Sequence, residues 1–375
     1  MVEPGRAKPP SVFPPDFCAG PDTPRLDDDA VTDESCLFRP APGRRGRDRR
    51  QVLLFFLPGN PGLYQYYLPF LYHLRALLQQ TEAHHAVAFT LAAQSLQGFL
   101  GLAGRPPYSL AAQIAAMDAR LLALTSPRPP TAPPYDDVVV VGHSLGAYLT
   151  VELFHRHLDD GTPPVPLRAG IGLFATVTHL AASSSGRAAA ALLRVPVLAD
   201  HAWRAPALLL ALLPAWLVCS LVAWVLAFPP EAAAVTAAWL KSPGALRQAY
   251  SLARDELATI RGDVWREDVW EVVDREGERG GGQPDGPPKF IFYFAEKDHW
   301  VADETRAEFI RQREEHAARE GVPRHKRGRT KQMIDHAKIP HSFCIHHSES
   351  VAEKTHGFME DIILPRLGQA DTPRA

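Results

Sequence analysis

Cysteine is scarce in this chain: four among 375 residues, Cys18, Cys36, Cys219 and Cys344, at spacings that fit neither a metal site nor a disulfide framework. That excludes a disulfide-stapled miniature scaffold and a cysteine-held zinc module, and suits a reducing compartment. A surplus of either charge is also missing. Forty Lys and Arg stand against forty-two Asp and Glu, for a net charge of −2, so nothing in the charge balance points to nucleic acid. The first residues, Met1 to Arg6, lack the apolar core of a signal peptide, and secretion is not expected. Long charge-free apolar runs are rare, and one stretch, Ala207–Phe228, concentrates what there is.

The chain is organised around Val138-Val139-Val140-Val141-Gly142-His143-Ser144-Leu145-Gly146. Four valines read as a strand buried on both faces. A helix-forming run from Leu145 to Leu158 follows directly. Ser144 sits at the turn, inside Gly-x-Ser-x-Gly, the pattern of the nucleophile elbow in α/β-hydrolases. The turn is so sharp that the residues two before and two after the serine, Gly142 and Gly146, must be small. The helix N-terminus then favours negative charge developing beside the serine oxygen.

Other strands and helices alternate around this unit. Residues 1–50 are rich in Pro, Asp and Arg, show no sustained period and are expected to be mostly disordered. The basic cluster Arg44 to Arg50 suits a solvated tail or contact with an anionic membrane surface. Strands are expected at Gln51–Leu57, His85–Leu91, Arg168–Val177 and Lys289–Ala295, with a short one near Gln332–Ile334. Helices are expected at Leu63–Gln80, Ser109–Leu124 with Ser109 as N-cap, Asp303–Glu320 and Ser348–Leu364. Pro127–Pro134 and Gly277–Pro288 read as loops, and Arg324–Lys331 as a basic surface insertion. The alternation predicts an α/β fold: a mostly parallel central sheet with helices on both faces. One domain over residues 51–364, with an inserted hydrophobic helical cap at about 178–261 and a flexible tail at 365–375, accounts for the pattern.

A serine hydroxyl needs a histidine base, and the base needs an acid to hold its tautomer. In α/β-hydrolases the chain order is Ser, acid, His. Asp298 follows the aromatic strand Lys289–Ala295, and His341 lies in a loop before the last helix. Glu296 and Asp303 compete for the acid; His299, His346 and His347 compete for the base. The loop Pro58-Gly59-Asn60-Pro61-Gly62, directly after the strand Gln51–Leu57, should supply one oxyanion-hole amide. Asn60 is the expected donor and Leu145 the second. This chemistry calls for no cofactor and no metal.

Pro58-Gly59-Asn60-Pro61-Gly62 with Tyr64 and Tyr66-Tyr67, Gly142-His143-Ser144-Leu145-Gly146, Asp298-His299-Trp300 and His341-Ser342-Phe343 together resemble the lipid droplet-associated hydrolase family. The resemblance runs from about Gln51 to Leu364, and the Pro-Gly-Asn-Pro-Gly loop is its most specific part. It implies an α/β-hydrolase fold with a hydrophobic cap, and association with lipid droplets and the endoplasmic reticulum on the cytosolic face. It implies an esterase role on sterol or other neutral lipid esters, with Ser144 as nucleophile, Asp298 as acid and His341 as base. The chain departs from the family in its long Pro-rich N-terminal segment, in Gly280–Gly282 and in the basic residues Arg324 to Arg329.

Ala207–Phe228 carries no charged residue and no polar face, so it must be buried in protein or in lipid. One unbroken helix of this length would reach about 33 Å, enough to span a bilayer. Pro214 interrupts it, so a broken helix dipping into one leaflet beside the active-site mouth is expected, making the droplet or endoplasmic reticulum surface a partner. Three functions are open at this level: a serine hydrolase of lipid esters, a non-catalytic lipid-surface protein with the same fold, and a soluble small-acyl esterase or thioesterase. The last requires the apolar segment to be wholly internal.

Overall fold

Runs of Val, Ile, Leu and Phe between turn formers become the strands, and the amphipathic stretches between them become helices. A computed structural model of the chain describes residues 30–40, 49–102, 104–126, 133–159, 165–270, 289–318 and 330–367. The strands are β1 (Ala30–Val31), β2 (Ser35–Phe38), β3 (Arg50–Leu57), β4 (Val87–Gln94), β5 (Asp137–His143), β6 (Leu167–Leu173), β7 (Phe290–Ala295) and β8 (Thr330–Asp335). Helices α1 (Leu68–His84), α2 (Leu110–Thr125) and α3 (Leu145–Asp159) fall between the first of these. After β6 come α4 (Ser184–Leu193), α5 (Pro196–His201), α6 (Arg204–Leu212), α7 (Ala215–Val225), α8 (Pro230–Lys241), α9 (Ala245–Thr259) and α10 (Glu267–Trp270). Helices α11 (Asp303–Ala318) and α12 (Ser348–Leu367) complete the chain.

Among the described residues the strands form one sheet in the order β1-β2-β4-β3-β5-β6-β7-β8. From β4 to β8 every pairing is parallel. The fold is the expected α/β type, and β5 lies inside the sheet, with Val138–Val141 aligned on Leu53–Phe56 of β3. All seven β5 residues are buried, as a strand covered on both faces requires. Helices α1 and α12 pack as one pair, while α3 packs on β5 and β6 and meets α2 and α10. The chain leaves β3 toward β4 and returns to β3's other side as β5, so the crossover direction reverses between β3 and β5. That reversal opens a crevice at the strands' carboxyl ends, where Asn60 and Ser144 lie.

The structure departs from the sequence reading at several boundaries. Residues 30–38, inside the stretch expected to be disordered, form two strands, and β2 adds antiparallel to β4. The Ser-Cys-Leu-Phe alternation of β2 turns Cys36 and Phe38 inward, a signal too short to stand out among Pro, Asp and Arg. Strand β6 stops at Leu173 rather than Val177, because Phe174 takes a left-handed backbone with φ +49°. The expected tail at 365–375 is partly helical, since α12 continues through Pro365 to Leu367. The expectations for 1–29, most of the arginine cluster, 127–132, 277–288 and 324–329 lie outside the described residues.

The stretch 178–261 carries α4 to α9. Helices α6 and α7 break at Pro214 and are bent by 115°. No single helix among the described residues is long and apolar enough to cross a membrane. Lys241 at the end of α8 donates to the carbonyls of Leu210, Ala211 and Leu213 at 2.7–3.3 Å, which satisfies acceptors left open at the break. Val218 and Val222 of α7 pack on Ala233 and Ala237 of α8. Helix α6 buries no residue. Leu212, Trp216 and Trp224 are 76%, 68% and 84% exposed. The apolar segment is therefore not wholly internal, the condition that a soluble small-acyl esterase required.

Candidate active site

The turn between β5 and α3 has the geometry that its glycines anticipate. Ser144 holds φ +53°, a left-handed conformation that costs a serine about 1–3 kcal/mol. A Cβ on Gly142 would lie 2.0 Å from the Gly146 carbonyl oxygen, and one on Gly146 would lie 2.1 Å from that of Leu57. No side chain fits at either position.

Ser144, His341 and Asp298, drawn from three distant parts of the chain, form one hydrogen-bonded row. His341 Nδ1 donates to Asp298 Oδ2 at 2.7 Å, since a carboxylate can only accept. That leaves Nε2 bare to accept the Ser144 hydroxyl at 2.8 Å. Asp298 Oδ1 also accepts the Trp300 amide at 2.8 Å. Burial pushes the Asp298 carboxyl up, but the hydrogen bond and charge of His341 outweigh it, and its pKa lies below the usual value.

Among the described residues none of the competing residues bonds the Ser144 hydroxyl or the His341 ring. Asp303 pairs with Lys297 and Arg306. His299 lines the cavity, its ring centroid 5.9 Å from that of His341, and lacks the bond to serine. The described contacts place Glu296, His346 and His347 outside the row. Cys344 lines the same cavity, but burial raises its thiol to about 12 and keeps it protonated.

Asn60 and Leu145 are the two residues whose amides are expected to form an oxyanion hole. Leu145 opens α3. The Gly59 amide is occupied, donating to the Tyr67 hydroxyl at 3.2 Å. Among the described contacts the Asn60 and Leu145 amides have no partner. The Asn60 side chain turns the other way, toward the cap, and donates to the Ala249 carbonyl at 3.2 Å and to Glu256 Oε1 at 2.9 Å.

Two further residues tie the three loops together. Tyr67 Oη lies 2.7 Å from His143 Nδ1, and His143 Nε2 lies 2.9 Å from the His341 carbonyl oxygen. The carbonyl can only accept, so Nε2 carries the proton, Nδ1 accepts, and the tyrosine donates. Burial, reinforced by the charge of His341, lowers the His143 pKa to about 3, so its ring stays neutral. The Gly59 loop, the residue before Ser144 and the His341 loop are thus joined through two buried side chains. Both stand in motifs that the sequence singles out, but no spacing rule joins Tyr67 to His143. Glu256 carried no sequence signal: it is one acid on a mixed-charge helix, and only packing buries it.

A cavity of about 350 Å³ runs from Ser144 and His341 to Leu226, Phe228, Trp239 and Leu257 of the cap region. Its size falls within the range of small-molecule sites. Leu226, on its wall, is itself 52% exposed and follows directly on the exposed apolar face of α7.

This fold, with a serine at the sharp strand-to-helix turn, is that of the α/β-hydrolases. The solved juvenile hormone epoxide hydrolase of the silkworm Bombyx mori superposes on 88% of this chain and 74% of its own, with a TM-score of 0.51 and 11% identity, a likeness of fold alone. The chain belongs to the lipid-droplet associated hydrolase family, whose model matches residues 50–344. The lipid droplet-associated hydrolases of Homo sapiens and Pongo abelii are each 28% identical to it over 162 residues. Those matches take in 39% of this chain and 44% of each relative, less than half of their length.

Proposed function

We propose that the protein is a serine hydrolase of lipid esters, of neutral lipids or sterols, working at the cytosolic face of lipid droplets or the endoplasmic reticulum. The observation that carries the reading is the continuous row Ser144–His341–Asp298 opening into a cavity walled by the apolar cap. Ser144 Oγ attacks the ester carbonyl carbon while His341 Nε2 takes its proton. Asp298 holds the imidazole in the accepting tautomer and steadies the imidazolium. The oxygen of the tetrahedral intermediate, now negative, lies against the Asn60 and Leu145 amides and the N-terminus of α3. Collapse expels the alcohol, which takes the proton from His341. Water, deprotonated by the same nitrogen, then attacks the acyl-serine and releases the acid.

The exposed face of α6 and α7 supports the choice of location. Apolar side chains exposed on this scale mark an interaction surface, and a helix pair broken at Pro214 can enter and leave a monolayer on one side. The family's name adds droplet association to that argument.

A fluorophosphonate probe tests the chemistry. It should label the wild-type chain and fail on Ser144→Ala. Ester hydrolysis should fall by several orders of magnitude for Ser144→Ala or His341→Ala alone, and little further for the pair. Additive losses, or labelling that survives Ser144→Ala, would sink the triad. A wild-type chain that binds droplets but resists the probe would favour the non-catalytic surface protein.

A further inference from the structure

We infer that Glu256 makes the cavity selective for lipid esters carrying a free hydroxyl a few bonds from the scissile ester, as in a monoacylglycerol. The inference rests on the hydrolase reading above and narrows its substrate class. Glu256 belongs to α9 and is 6% exposed, on the wall of the cavity that holds Ser144 and His341. Its Oε1 accepts the Asn60 side-chain amide, and its second oxygen has no partner among the described residues. The neighbouring cap wall is apolar: Leu226, Phe228, Trp239, Ala253 and Leu257.

A carboxyl oxygen that has no protein partner and keeps contact with solvent is costly to leave bare once a ligand strips its water. An ester of a wholly apolar alcohol, or a sterol ester, strips that water and returns nothing. A hydroxyl replaces it, and it can do so in either state of the carboxyl, donating to the charged form and accepting from the neutral one. Both states are within reach near neutrality, because burial raises Glu256 to about 7 against the hydrogen bond from Asn60, with the charge of Asp255 adding to the rise. Sites built around a polar partner reject analogues lacking it far more strongly than apolar pockets reject a change of one methylene.

Asn60 sets the distance. Its backbone amide faces the developing oxyanion in the proposed mechanism, and its side chain holds Glu256. The hydroxyl must therefore sit close to the ester carbonyl. The free hydroxyls of a 1-acylglycerol satisfy this; triacylglycerols and sterol esters have none.

The test uses the full chain carrying Ser144→Ala and two ether lipids that cannot be hydrolysed, 1-O-hexadecylglycerol and hexadecyl propyl ether. Binding is followed through tryptophan fluorescence, since Trp239 and Trp300 line the cavity. The glycerol ether should bind at least about tenfold more tightly. Adding Glu256→Leu should bring the ratio close to one, and adding Glu256→Gln, whose amide both donates and accepts, should keep part of the preference. Equal affinity in the parent, a preference for the propyl ether, no binding of either, or a preference that survives Glu256→Leu overturns the inference. The parent comparison needs no substitution at Glu256, so it decides even if the leucine variant does not fold. No ester is cleaved, so the result is independent of whether Ser144 proves to be the nucleophile.

Discussion

Ser144 stands in a strained turn between two glycines that cannot accept a side chain, and its position depends on residues that never touch substrate. Tyr67 is the plainest of them. Its hydroxyl accepts from Gly59 and donates to His143, which in turn holds the His341 carbonyl. Tyr67→Phe would leave a buried amide and a buried ring nitrogen unpaired, at a cost of about 1–3 kcal/mol. The fold should survive, because the ring still packs on Phe56 and Phe343. The expected outcome is a fall of about ten- to a hundredfold in kcat with KM little changed, as loop misplacement of about 1 Å would produce. Steady-state kinetics at a temperature where both proteins are folded checks this. An unchanged kcat would show that the loops hold their places without the tyrosine.

At the scale of elements, the proposed contact with lipid belongs to α6 and α7, whose outward faces are apolar. The sequence points to Leu217, Val222 and Val225 as residues whose replacement by Asp should release the protein from droplets. The structure separates them: Val222 is buried against α8, whereas Val225 is exposed. An aspartate at 222 would break the packing of α7 and confuse unfolding with lost binding. Leu212, Trp216 and Trp224 face outward, and surface substitutions cost about 0.5 kcal/mol or less each. Leu212→Asp, Trp216→Asp and Trp224→Asp together should leave the melting temperature close to wild type and abolish flotation with artificial droplets. Flotation unchanged in the folded triple variant would end the monolayer proposal.

For the whole molecule, the buried titratable groups set how stability varies with pH. Glu256 holds its proton to about 7 in the folded chain, against 4.5 for the ordinary carboxyl. A raised carboxyl contributes stability that is fully present below the unfolded value and is lost as pH rises through the folded one. His143 acts in the opposite sense. Its lowered pKa gives stability that is present above 6.5 and is lost as pH falls toward about 3. Glu256→Gln removes the first contribution and keeps an acceptor for Asn60. Its stability relative to wild type should therefore improve between pH 5 and pH 8, by on the order of 3 kcal/mol at most. Urea unfolding of both proteins at the two pH values measures this, and a constant difference would mean that Glu256 titrates as an ordinary surface carboxyl.

The sequence by itself determined the strand-turn-helix at Ser144, because four valines, two obligatory small residues and a helical run are local signals. Chain order and context were enough to make Asp298 and His341 candidates among several, since Asp298 follows a recognisable strand and His341 precedes the closing helix. Hydropathy located the apolar segment, and the proline within it, Pro214, located its break. Only the tertiary structure decided the rest. Strand β2 draws its stability from pairing with β4, which no local pattern in a Pro-, Asp- and Arg-rich segment announces. The direction of α7 depends on which valines meet the alanines of α8, because a helix apolar all round does not declare its buried side. Tyr67, His143 and Glu256 acquire their partners through contacts between distant segments, and burial, which sets their proton affinities, is a property of the folded molecule alone.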